Sequence, residues 1–158
     1  MNLKNKLAVQ LYTLRDHLKT AEDFATSLQK CAAIGYGAVQ LSAVGCMDDG
    51  SVGAAEAKKY LDDNGLKCVA THRNWTNLAE KTDDEIAFHK TMDCGYVAIG
   101  GLPREYESAG YDGYRKFLDD SAPVIAKLKA AGIAFGYHNH SHEFRKENGT
   151  SLYDLFIE

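Results

Sequence analysis

Between Tyr137 and Phe144 the chain reads His138-Asn139-His140-Ser141-His142-Glu143, directly after the apolar run Ile133-Ala134-Phe135. Three of the six histidines stand in this one stretch. Imidazoles and a carboxylate crowded at the end of a buried strand are costly to desolvate, so they usually need a metal ion, a substrate or one another. If the extended conformation continues past Tyr137, His138 and His140 share a face, because strand side chains repeat every two residues. Both then point into the same mouth, towards substrate or metal.

The elements that position this stretch follow a repeating pattern. Apolar-periodic segments end in Gly35, Gly65, Gly95 and Gly132, and each glycine is followed by a short β-prone run. Glycine just past a helix relieves the left-handed backbone that ends it. The spacing, roughly 30 residues or a little more, is about one βα unit. Five strands are expected near 7–12, 38–42, 67–72, 96–101 and 133–138, with four helices between them. Thr20 with Glu22 and Asp23 marks one helix start, after which Phe24, Leu28, Cys31 and Ala32 fall on one face. Thr82-Asp83-Asp84-Glu85 has the form of a capping box. Phe117, Ile125 and Leu128 mark a later amphipathic helix, with Pro123 as a kink or restart.

Strands alternating with helices imply a parallel sheet with right-handed crossovers. Each strand ends in polar or glycine-rich sequence: Tyr12-Thr13, Ser42, His72-Arg73-Asn74, Gly100-Gly101 and His138-Asn139-His140. Ligands of parallel α/β folds sit at those carboxyl ends. Five strands pointing chemistry the same way favour a barrel over an open sheet. No GxGxxG or P-loop follows the first strand, which argues against a nucleotide-binding doubly wound fold.

Composition limits the function classes. The chain has 158 residues, 45% hydrophobic and 25% charged, with a formal charge of −4. It carries no Lys/Arg stripe, so nucleic acid is not an expected partner. No run approaches the ~18–20 apolar residues of a membrane helix, and the start is too weakly apolar for a signal peptide. Cys31, Cys46, Cys68 and Cys94 form no CxxC pair and read as reduced, small hydrophobes. A cytoplasmic protein is the expectation.

Three segments resemble the sugar phosphate isomerase/epimerase family, whose members are xylose-isomerase-like TIM barrels. They are Val9-Gln10-Leu11-Tyr12-Thr13-Leu14-Arg15-Asp16, Ile34-Gly35-Tyr36-Gly37-Ala38-Val39-Gln40-Leu41-Ser42 and Tyr137-His138-Asn139-His140-Ser141-His142-Glu143-Phe144. The third is the most specific, and the resemblance covers essentially all of residues 1–158 as one partial barrel domain. It implies an α/β fold of the parallel (β/α)8 TIM-barrel type, incomplete here at about five βα units, since a full barrel needs roughly 250 residues. It also implies one divalent cation (Mn, Zn, Mg or Co), held by carboxylates and a histidine from later strands. The implied reaction is proton transfer next to a carbonyl of a sugar or sugar phosphate. Gln40 stands where many relatives place a glutamate.

In that frame Glu143 is the expected metal ligand or a base beside the metal, and His142 an acid/base. His138, His140, His72 and Tyr12 are expected to bind substrate. Trp75, in a loop, would either stack on a sugar ring or plug the barrel end. Asn139 would tie down backbone, Arg104 is a weak candidate for a phosphate, and His17 and His89 would be solvated. The competing reading is a non-catalytic half-barrel, because an unclosed parallel barrel leaves two sheet edges that call for self-association or a missing C-terminal half. A repair endonuclease of the same barrel type is disfavoured by the net charge.

Overall fold

A computed structural model describes residues 7–147 and 149–157. Five parallel strands, β1 (Ala8–Gln10), β2 (Ala38–Leu41), β3 (Lys67–His72), β4 (Tyr96–Ile99) and β5 (Ala134–Tyr137), pair in chain order. The sheet is the incomplete barrel wall expected. Its helices lie on one face: α1 (Ala21–Ile34), α3 (Ala54–Asp63), α5 (Thr82–Thr91) and α7 (Gly110–Ala130). Short α2 (Gly45–Asp48), α4 (Trp75–Glu80) and α6 (Arg104–Glu107) sit in the connections, so the described residues hold more helices than the four expected. The antiparallel pair β6 (Lys146–Glu147) and β7 (Thr150–Ser151) follows β5. None of the helices is long and apolar enough to cross a membrane.

Local signals explain most boundaries. Thr20 Oγ1 accepts the Asp23 N–H at 3.1 Å and starts α1, whose Phe24, Leu28 and Cys31 are buried. Gly35 ends it at φ 110°. Gly95 does not play that part for α5; Asp93 takes the left-handed conformation instead, at φ 51°. The capping box at Thr82 is also absent. Lys81 alone separates α4 from α5, so the Thr82 hydroxyl donates back to Leu78 O at 2.7 Å and Glu85 turns inward. Pro123 neither breaks nor restarts α7, which runs on through it with Phe117, Val124 and Leu128 buried.

The first strand is shorter than expected, because a 3-10 turn, Leu11–His17, takes over after Gln10. Between β2 and β3 the register slips: Val39 pairs with Cys68 but Gln40 with Ala70, leaving Val69 as a bulge and exposed.

The core between sheet and helices has two parts. Val39, Leu41 and Cys68 pack with Phe24, Leu28, Leu61 and Met92. Val97 and Ile99 pack with Trp75, Phe117, Leu128 and Leu152. The seam runs between β3 and β4, where Thr71 pairs with Val97 and His72 with Ala98. All four cysteines are free and buried.

Candidate active site

The carboxyl ends of the strands carry the polar groups, as the sequence implied. Ser42 follows β2 with its Oγ 3.3 Å from His72 Nδ1. His72, at the end of β3, meets His138 edge-to-face at 5.0 Å between ring centres. His138 lies 4.9 Å from His140, and His140 stacks on His142 at 5.5 Å with an interplanar angle of 12°. Four imidazoles thus form a chain across the mouth of the half-barrel. Although β5 ends at Tyr137, His138 and His140 are neighbours as expected.

Two backbone features make room for this chain. Gly101 has φ +150°, and a Cβ there would come within 3.2 Å of His140 Cε1. Ala43 holds a left-handed conformation, φ 53°, at the edge of the same cleft. Non-glycine residues are uncommon there and cluster at functional sites.

Glu143 is fully buried in a 3-10 turn, His142–Phe144. Its Oε1 accepts from the Tyr137 hydroxyl at 2.6 Å and its Oε2 from the His140 N–H at 2.7 Å. Burial alone would raise its pKa. The Tyr137 hydroxyl and the backbone N–H donors outweigh that and hold the carboxyl below its ordinary value. Burial, then the Glu143 carboxylate, pushes the Tyr137 phenol well up, so it stays a donor. The Tyr137 oxygen in turn accepts the Leu102 N–H at 3.1 Å. Tyr114, buried near this group, is pushed up to about 12 by burial and then by Glu143.

His142 Nε2 lies 3.2 Å from Glu143 Oε1 and 3.7 Å from Glu107 Oε1. The atom is buried and makes no hydrogen bond among the described residues. The ligand-capable atoms of His140, His142 and Glu143 all lie within 4.8 Å of one another. Two imidazoles, one of them with an unpartnered Nε2, and one anionic oxygen suit a divalent cation. The residues present therefore fit the ion that the resemblance implies.

The expected residues divide between two adjoining clefts. Tyr12, His72, His138 and His140 line one of about 350 Å³, with Gln10 and Ser42. Tyr12 is on the 3-10 turn rather than a strand, and is half exposed. His140 also borders the second cleft, of about 530 Å³, together with His142, Glu107, Asn74 and Arg73. Both volumes lie in the usual range for small-molecule sites, about 300–1,000 Å³. Glu143 lies beneath the surface and lines neither.

Other expectations fare differently. His17 is exposed, as expected, but His89 is fully buried. Its Nε2 is 2.7 Å from Thr71 Oγ1 and its Nδ1 2.7 Å from Glu85 O, because the inner face of α5 is polar. Trp75 opens α4 and is buried edge-on against Phe117 at 4.9 Å, so it packs in the core, and it also borders the second cleft. Asn139 is exposed and ties down no backbone through its side chain among the described residues. Arg104 lines neither cleft.

Sequence reasoning missed Ser42 as a partner of His72, and Arg73, which Glu85 holds by paired bonds of 2.7 and 2.8 Å. It missed Glu107 entirely. Ser42 stood at a strand end and was findable; nothing in Arg104-Glu105-Tyr106-Glu107 marks one glutamate as turned toward a histidine.

The fold is that of the xylose-isomerase-like TIM barrels, present here as five parallel strands with helices following the first four. Two solved structures from Parabacteroides distasonis ATCC 8503, each a sugar phosphate isomerase/epimerase, are similar to it. One has TM-score 0.75 and 23% identity over 96% of this chain and 60% of its own. The other has TM-score 0.70 and 24% identity, over 96% and 64%. A family 2 AP endonuclease from Brucella melitensis shares the fold at TM-score 0.58 and 16% identity, over 82% and 53%. The chain thus spans less than two thirds of the length of each. No protein-family model matches the sequence, and no curated protein matches it.

Proposed function

We propose that this chain carries the strand-end site of a sugar or sugar phosphate isomerase/epimerase, which moves a proton next to the substrate carbonyl with the help of a divalent cation. The observation that carries the reading is the 350 Å³ cleft in which Tyr12, His72, His138 and His140 converge at the strand ends. The likeness to the two Parabacteroides structures supports the sugar class, and the net charge of −4 speaks against the endonuclease chemistry of the third neighbour.

In this reading Glu143, His140 and His142 would hold the cation, which gives the expected catalytic pair, His142 and Glu143, a place as its ligands. When bound, a divalent ion polarises a carbonyl and its neighbouring hydroxyl. Tyr12, His138 and Gln10 take the sugar hydroxyls. His72 handles the proton. Burial, followed by the nearby His138 and His140, lowers its pKa, so it stays neutral at physiological pH. With Nδ1 donating to Ser42 Oγ, Nε2 keeps the lone pair that accepts the proton.

The test is solvent exchange. The protein, loaded with a divalent ion, is incubated in D2O with a panel of aldoses, ketoses and their phosphates, and deuterium next to the carbonyl is followed by NMR. Incorporation is expected for at least one sugar, falling about 100-fold or more in His72→Ala. No incorporation from any sugar by an ion-loaded protein overturns the reading.

A further inference from the structure

We infer that Cys68 and Cys94 form a dithiol at the amino ends of β3 and β4, which a hydroperoxide converts into a disulfide between the two strands. The inference is independent of the sugar chemistry, since both thiols sit at the edge of the sheet opposite the histidines.

The register brings the two together. Thr71 pairs with Val97 and His72 with Ala98, and counting back three residues on each strand puts Cys68 beside Cys94. Both segments run through the same burial pattern on the way. Cys68 and Thr71 are buried, with Val69 exposed and Ala70 half-buried between them; Cys94 and Val97 are buried, with Gly95 and Tyr96 exposed between them. Both thiols therefore face the helix layer, in the same part of the core. They are tied down alike: Cys68 Sγ donates to Ala70 O at 3.5 Å, and Cys94 Sγ to Tyr96 O at 3.3 Å. Neighbouring strands lie about 4.7–4.9 Å apart, inside the span of roughly 4.4–6.8 Å that a disulfide needs between Cα atoms.

The four cysteines differ in reactivity. Hydrogen bonding from the Cys68 thiol lowers Cys94 to about 7, although burial pulls the other way. The same sharing, then burial, pushes Cys68 up, so Cys68 keeps its proton and is the donor. Cys31 and Cys46 are pushed up, chiefly by burial. The thiolate is the nucleophile, so Cys94 reacts first. A cleft of about 420 Å³, lined by Lys67, Cys68, Val69, Met92, Asp93 and Gly95, borders Cys68 and both chain neighbours of Cys94. It admits a molecule as small as hydrogen peroxide.

The Cys94 thiolate attacks one peroxide oxygen; the S–O bond forms, the O–O bond breaks, and the departing oxygen takes up a proton as water. Cys68 then attacks the sulfenic sulfur of Cys94. The S–S bond forms, the S–O bond breaks, and hydroxide leaves as water with the Cys68 proton. Two thiols lose two electrons to one peroxide. The bond ties β3 to the foot of β4, whose Val97 and Ile99 pack in the other part of the core.

The experiment treats the whole folded chain with hydrogen peroxide, alkylates the remaining thiols in urea and maps the peptides by mass spectrometry. A Cys68–Cys94 linked peptide is expected, reversed by dithiothreitol, with Cys31 and Cys46 alkylated. Cys68→Ser, whose hydroxyl still donates, is expected to stop at a sulfenic acid on Cys94 that dimedone captures. Cys94→Ser is expected to slow consumption of the remaining thiols by about tenfold or more, because the thiolate is lost. Circular dichroism checks that each variant is folded. A folded parent chain that yields no linked peptide overturns the inference. So does linkage to Cys31 or Cys46, linkage no faster than in the urea-unfolded chain, or separate oxidation of both residues to sulfinic acids.

Discussion

The Tyr137 hydroxyl lies 2.6 Å from Glu143 Oε1, joining the last residue of β5 to a carboxylate that is wholly out of solvent. This contact fixes the turn that carries His140 and His142. It shares the satisfaction of that carboxylate with the His140 N–H, 2.7 Å from Oε2.

Tyr137→Phe leaves Glu143 Oε1 buried without its donor, a loss of about 1–3 kcal/mol. The folded-state pKa of Glu143 lies below its ordinary 4.5, so its contribution is present above that value and fades as pH falls through the folded pKa. Urea unfolding should therefore show a deficit that is largest near neutral pH and shrinks below pH 4.5.

His89 works in a higher range. Burial, partly offset by the Glu85 carbonyl and carboxylate, lowers its pKa below 6.5. The unfolded chain then binds a proton that the folded chain refuses. Stability is full above about pH 6.5 and falls as pH drops from there toward the folded value. His89→Asn should flatten that part of the pH profile, measured by denaturant midpoints between pH 7.5 and 5.5.

Arg73 is clamped by Glu85 and lies over the Phe88 ring at 4.4 Å. Glu85→Gln strands the guanidinium in a half-buried site beside the second cleft. Removing one partner of a buried pair costs up to 3–5 kcal/mol, and the partial exposure of Arg73 puts this one at about 2–3 kcal/mol. Thermal denaturation gives the shift directly, and an unchanged midpoint would contradict the clamp.

Ala43 gives a change of the other sign. Left-handed backbone costs an L-residue roughly 1–2 kcal/mol, against about 0.4–1 kcal/mol of extra chain freedom for glycine when unfolded. Ala43→Gly should raise stability by about 0.5 kcal/mol, read from the urea midpoint.

How far the sequence foretold this molecule depends on the range of the interaction. Strand order, the helix start at Thr20 and the end at Gly35 follow from residues close in the chain, and were legible. So was the gathering of His72, His138 and His140, because parallel strands send their carboxyl ends to one side. The error at His89 has a plain cause: α5 turns polar residues inward to meet Thr71 of β3 and Arg73 just after it, and periodicity alone reads a polar face as solvated. Glu107 was invisible for the same reason, since its relation to His142 is made by two loops distant in sequence.

The seam in the core has a dynamic consequence. Two packed units that meet along the β3–β4 pairing, Thr71 with Val97 and His72 with Ala98, are suited to open separately in native-state hydrogen exchange, β1–β3 as one cooperative unit and β4–β5 as the other. The cleft straddles that seam, with His72 on one bank and His138 on the other. A ligand that grips both histidines would brace the two units together, so that occupancy is felt as slowed breathing throughout the sheet.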